Sequence, residues 1–138
     1  MSAHAADTHS LVWYFFDPKQ LSVDATAALT AADQAGELYF STISLVELDY
    51  LDGRPSFPYP GALGQVLSLL ARPATPLKPL PLSVDVTRAL AHAPKAETPD
   101  MPDRIIAATA AAHRLPLVSA DRKIRGSASL ARHIRVIW

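Results

Sequence analysis

Apolar residues run along the chain in short blocks, separated by polar or helix-breaking residues. Residues 3–7 form a brief, weakly apolar stretch ending at Asp7. It is placed like a strand, although its alanines are poor strand formers. Thr8–Phe16 reads as a helix with Leu11, Val12, Phe15 and Phe16 on its bulky face, broken by Asp17-Pro18. Ser22 is placed to cap a second helix over 23–35, which Gly36 ends. Leu38-Tyr39-Phe40-Ser41-Thr42 is a run of β-formers, and a helix over 44–51 follows it. Two proline-dense stretches, 54–60 and 73–81, flank a helix near 61–70, and a short strand near 77–82 overlaps the second. Further helices are predicted over 84–92 and 104–114, and strands over 117–119 and 135–138. Strands of this length alternating with helices predict one α/β domain over 1–138. Its sheet is mainly parallel, with four or five short strands between helical layers.

Sites in such a sheet gather outside the carboxyl ends of the strands. Asp7 ends the first strand, Glu47 lies one turn into the helix after the second, and Asp121 follows the strand over 117–119. Asp103 opens the helix that leads back to that strand. Connecting helices run antiparallel to the strands, so its start falls on the same edge. Singly, each acid has an ordinary folding role. Asp7 and Asp121 suit helix N-caps, Asp103 a cap or a favourable charge at a helix start, and Glu47 a capping box with Ser44. Together on one rim they repel, and protonation or a cation must relieve that. A hard divalent cation such as Mg²⁺ or Mn²⁺ suits an all-oxygen donor set.

Composition narrows the chemistry. The 138 residues are 49% apolar and 19% charged, a globular balance with length enough for a core. There is no cysteine, which removes disulfides and thiolate sites and fits a reducing compartment. The first ten residues lack a basic n-region, and the apolar run over 11–16 is far too short to span a bilayer, so a soluble cytoplasmic protein is expected. The zero net charge hides an asymmetry. Residues 1–103 hold six Lys/Arg against twelve Asp/Glu, whereas 104–138 hold seven against one. A basic C-terminal third can form a polyanion-binding face or a solvated surface.

Four stretches resemble the signatures of the PIN domain, above all in the VapC-type toxins of bacterial type II toxin–antitoxin pairs. They are Asp7-Thr8-His9 with Leu11-Val12-Trp13; Ser41-Thr42-Ile43-Ser44-Leu45-Val46-Glu47; Pro102-Asp103-Arg104-Ile105-Ile106-Ala107-Ala108-Thr109-Ala110; and Leu115-Pro116-Leu117-Val118-Ser119-Ala120-Asp121-Arg122-Lys123-Ile124. The resemblance implies a three-layer α/β/α fold with sheet order 3-2-1-4-5. It also implies Mg²⁺ held by Asp7, Glu47, Asp103 and Asp121 as the catalytic set, with the Ser119 hydroxyl supporting them. The implied activity is endonucleolytic cleavage of RNA by metal-activated water, leaving 5′-phosphate and 3′-hydroxyl ends. The implied partners are a VapB-type antitoxin that blocks the cleft and a second copy of the chain. Arg104, Arg122, Lys123 and Arg125 adjoin the acids in sequence and are candidates to hold the RNA backbone. Two features depart from the family: the alanine-rich first strand, and the proline-rich region 54–81, which matches none of its motifs.

Other chemistries lack their residues. No Gly-rich phosphate loop and no Gly-x-Ser-x-Gly elbow occurs. An aspartyl-nucleophile phosphatase would want an acid where His9 stands. The remaining rival is the same fold kept as a binding or scaffold module with vestigial acids.

Overall fold

The structure, a computed structural model, describes residues 2–138. Five short strands form one parallel sheet: β1 (His4–Ala6), β2 (Leu38–Ser41), β3 (Leu77–Leu80), β4 (Leu117–Val118) and β5 (Val136–Ile137). Their order is β3-β2-β1-β4-β5, as the resemblance implies. The helices are α1 (Thr8–Phe16), α2 (Val23–Gln34), α3 (Ile43–Leu51), α4 (Ala62–Leu70), α5 (Val84–Ala89), α6 (Met101–Ala112), α7 (Arg122–Arg125) and α8 (Ala128–Ala131). One-turn 3₁₀ segments follow α1 (Pro18–Gln20) and α5 (Leu90–His92).

The sheet is buried on both faces, and the two-residue strand period divides the core. Ala6, Leu38, Phe40, Leu77 and Val118 face one way, against Leu11 and Val12 of α1, Leu29 of α2, Leu48 of α3 and Val66 of α4. Ala5 and Leu117 face the other, against Ile106, Ala107 and Ala110 of α6, Ile124 of α7 and Leu130 of α8. The alanine-rich β1 is the centre of the sheet. Its Ala5 N–H donates to Pro116 O at 2.9 Å, and the next chain segment is tied by Asp7 N–H to Val118 O at 3.1 Å. Pairing on both sides outweighs weak strand propensity here.

The second proline-dense stretch holds β3, a strand at the sheet edge, where Pro79 can forgo its N–H. Phe57, in the first, is buried in the core, so region 54–81 carries packing as well as connection.

Three details differ from the sequence reading. Helix α6 starts at Met101, not Arg104. Asp100 is its N-cap and Pro102 sits in the first turn, where a missing N–H costs nothing. Helix α3 starts at Ile43, so Ser44 lies inside it, buried, and the Ser44–Glu47 capping box does not form. Helices α7 and α8 fill the span between β4 and β5; each is four residues long, too short to show an apolar period. Among the described residues no helix is long and apolar enough to cross a membrane.

Candidate active site at the carboxyl edge of the sheet

The four acids stand where the chain leaves the sheet edge or returns to it. Asp7 follows β1 and caps α1, its Oδ1 accepting the Ser10 N–H at 2.9 Å. Asp121 follows β4 and caps α7, its Oδ1 accepting the Lys123 and Ile124 N–H groups, each at 2.9 Å. The expected capping roles therefore hold for both, and each cap fixes its carboxylate in place. Glu47 projects from α3. Its Oε1 accepts the Thr8 hydroxyl at 2.5 Å, and Thr8 Oγ1 lies 2.8 Å from the buried Ser44 Oγ. A hydroxyl has one proton, so Thr8 donates to Glu47 and accepts from Ser44. Asp103 does not cap α6; it sits in the first turn, its own N–H directed at Asp100 Oδ2 at 3.3 Å.

All four acids line one cleft of about 470 Å³, together with Asp100, His9, Trp13 and Ala120. The electrostatics follow from this crowding. Burial pushes the Asp103 carboxyl up to about 7, helped by repulsion from Asp121, Asp100, Glu47 and Asp7. Asp7 is also pushed up by burial, opposed by the Ser119 and Ser10 side chains, the Ser10 N–H and the charge of His9. Ser119 is buried beneath the cleft and its Oγ accepts the Asp121 N–H at 3.1 Å, so it touches the surroundings of two acids. Among the described residues no three acids or histidines close into a ready-made chelate.

Residues 5–128 match the PIN domain family, and the whole chain aligns with Ribonuclease VapC22 of Mycobacterium tuberculosis. The identity is 32% over 142 residues, covering 100% of both chains. The chain belongs to the PIN domain family, in its VapC-type branch. Solved structures share the fold at lower identity. VapBC2 from Rickettsia felis, bound to a DNA fragment from the promoter, is 16% identical with a TM-score of 0.64, covering 97% of this chain and 96% of that one. VapBC-5 from Mycobacterium tuberculosis, a member of the VapBC family of toxin–antitoxin systems, is 20% identical with a TM-score of 0.55, covering 99% and 98%.

The basic residues of this PIN domain divide. Arg122, Lys123 and Arg125 are exposed on α7, directly after Asp121. Arg104 turns away: its Nε donates to Ala93 O at 2.6 Å and its Nη2 to Leu90 O at 2.9 Å, closing the 3₁₀ turn after α5. Arg104 thus braces the loop before α6, and its guanidinium is engaged by backbone. Arg104→Gln is expected to lower stability by about 1–3 kcal/mol, the cost of leaving such carbonyls unpaired. A urea melt measures it, and an unchanged midpoint would refute the bracing role.

The sequence gives no sign that Thr8 holds Glu47 or that Ser44 acts through Thr8, and Asp100 is a further acid of the cleft. The Thr8–Glu47 contact spans 39 residues and has no local signature. Asp100 had one: an acid two residues before Pro102 marks a helix start. Trp13 also lines the cleft, its ring 5.6 Å from His9 and 5.8 Å from Trp138.

Proposed function

We propose that this VapC-type PIN domain is a divalent-cation-dependent endoribonuclease, the toxin of a toxin–antitoxin pair. The observation that carries the reading is the convergence of Asp7, Glu47, Asp103 and Asp121, with Asp100 beside them, on one cleft, where burial and the neighbouring carboxylates push Asp103 up to about 7. Such a cleft is tolerable when protonated or when it holds a counter-charge, and its hard oxygen donors fit Mg²⁺ or Mn²⁺. Asp7, Glu47, Asp103 and Asp121 would hold the ion, which when bound offers positive charge to a phosphate oxygen and acidifies a water.

The protein's own part is positioning. The caps on α1 and α7 pin Asp7 and Asp121. Thr8 and Ser44 aim Glu47. Ser119 steadies the backbone at Asp121 from below. The rings of His9 and Trp13 on the cleft wall offer apolar faces to a nucleobase. Arg122, Lys123 and Arg125 offer cations to the flanking phosphates. Likeness to the VapBC systems supports a VapB-type antitoxin as partner, and the resemblance to VapC-type toxins supports a homodimer.

The test is a Mg²⁺ and Mn²⁺ titration of the purified chain on mixed cellular RNA. Cleavage should rise with metal, stop with EDTA, and be lost in Asp7→Asn while circular dichroism stays unchanged. Folded, metal-saturated protein that leaves every RNA intact would overturn the proposal and leave a binding module.

A further inference from the structure

The acidic cleft lies at the carboxyl edge of the sheet; the opposite edge is basic. Two adjoining clefts there, of about 540 and 420 Å³, share Arg114 and His133. Arg88, Arg132 and His92 line the first, and His4 and Arg135 the second. The one acid lining either is Asp85, which already pairs with Arg88 at 3.1 Å. Arg114, Arg132 and Arg135 form no ion pair among the described residues. Glu97 lies near enough to Arg132 for the charges to interact, but its carboxylate takes three hydrogen bonds from Ser127 and Ser129. The His92 and His133 rings stack with centroids 3.6 Å apart beside these guanidiniums. Arg114 also has a φ of 54°, in the left-handed region, where glycine would be easier. A bulky residue there carries strain on the order of 1 kcal/mol, which a functional guanidinium would explain.

The geometry points to a second nucleic-acid contact here, an exosite for the phosphodiester backbone of RNA at the amino edge of the sheet. The inference rests on the nuclease reading above. A cleft ringed by carboxylates gives its polyanionic substrate no charge attraction of its own, so binding draws on cations outside it, those of α7 and those at this edge. Planar guanidinium forks suit phosphate, and several unpaired ones in a concave site suit successive phosphates. Helix α6 links the two edges. Asp103 is in its first turn and Arg114 follows its end, so its 12 residues set a separation of about 18 Å. At about 3.4 Å per nucleotide along a duplex strand, RNA shorter than roughly five nucleotides cannot reach both sites.

Fluorescence anisotropy with a labelled RNA of about 25 nucleotides, in EDTA so that nothing is cut, reads binding without turnover, and the variants below isolate the exosite's share. Arg114→Gln/Arg132→Gln is expected to weaken binding about tenfold and to lower the log–log salt slope by about 1.4, two phosphate contacts at about 0.7 each. Arg132→Gln alone, at an exposed helix end, should give about half that slope change and guards against misfolding of the double variant. Arg72→Gln, an exposed arginine elsewhere, should change neither. With metal restored, the double variant should raise KM for the long RNA, leave kcat unchanged, and cleave a four-nucleotide RNA like the parent. Parent-like affinity and slope in the double variant would overturn the exosite. So would an equal loss in Arg72→Gln, or poly-glutamate displacing RNA at matched charge, which would mark an acidic protein as the occupant. If the parent cuts no RNA, the nuclease reading fails while the anisotropy result still stands for the exosite.

Discussion

On the proposed nuclease function, Asp103→Asn is expected to lower RNA cleavage by roughly a hundred- to a thousand-fold, the scale seen when one electrostatic contact to developing charge is removed. The same change should stabilise the metal-free protein. Asp103 is held near 7 because burial and four neighbouring carboxylates oppose its charge, and an amide carries no charge to oppose. Its side chain is half-buried, so solvent screening reduces the gain to about 1–2 kcal/mol at pH 8. The substitution also removes an acid from the first turn of α6, a loss of about 0.3–1 kcal/mol that offsets part of the gain. The Asp103 N–H is a backbone group, so its bond to Asp100 survives the change. Initial rates on RNA and urea midpoints in EDTA measure the two effects. If rate and stability fell together, Asp103 would be a folding residue and not part of a working site.

Divalent metal and pH should act against each other on stability. The folded pKa of Asp103, about 7, lies above the ordinary value of 3.8, and Asp7 is shifted the same way. Between those values the folded state binds more protons than the unfolded one. This contribution is fully present below the unfolded pKa and is lost as pH rises through about 7. Glu97 is shifted the other way, from 4.5 to about 2, chiefly by the Ser129 hydroxyl, so its contribution is lost only as pH falls below that of the unfolded group. The range from pH 5.5 to 8.5 therefore leaves Glu97 ionised throughout and spans the Asp103 transition. In EDTA, the melting temperature should fall across that range. Metal at a hundred times its dissociation constant at pH 7 should restore about 2.7 kcal/mol there, and the same concentration should restore more at pH 8.5 than at 5.5, because protons and metal compete for the same oxygens. Melts at three pH values with and without Mg²⁺ decide it; a metal effect equal at all three would place the binding elsewhere.

Much of the fold was legible in the sequence because it rests on local rules. Asp17-Pro18, Gly36 and Asp52-Gly53 end helices for reasons contained in a few residues. The strand at residues 38–41 is written in β-formers. The start of α6 lies three residues before the sequence expectation, because Asp100 forms the cap and Pro102 is accommodated in the first turn. The capping box at Ser44 failed for a tertiary reason: that hydroxyl is buried beside Thr8.

The sequence by itself determined the alternation of strands and helices, the acids placed after strands, and the charge imbalance along the chain. Each follows from residue order and short-range sterics. Only the tertiary structure decided that these acids crowd one another, since mutual repulsion depends on distance through space and not along the chain. It also decided that Thr8 orients Glu47 across 39 residues, and that Arg104 faces backbone carbonyls. The basic third likewise divides between two edges of the sheet, because α6 carries the chain about 18 Å from one to the other.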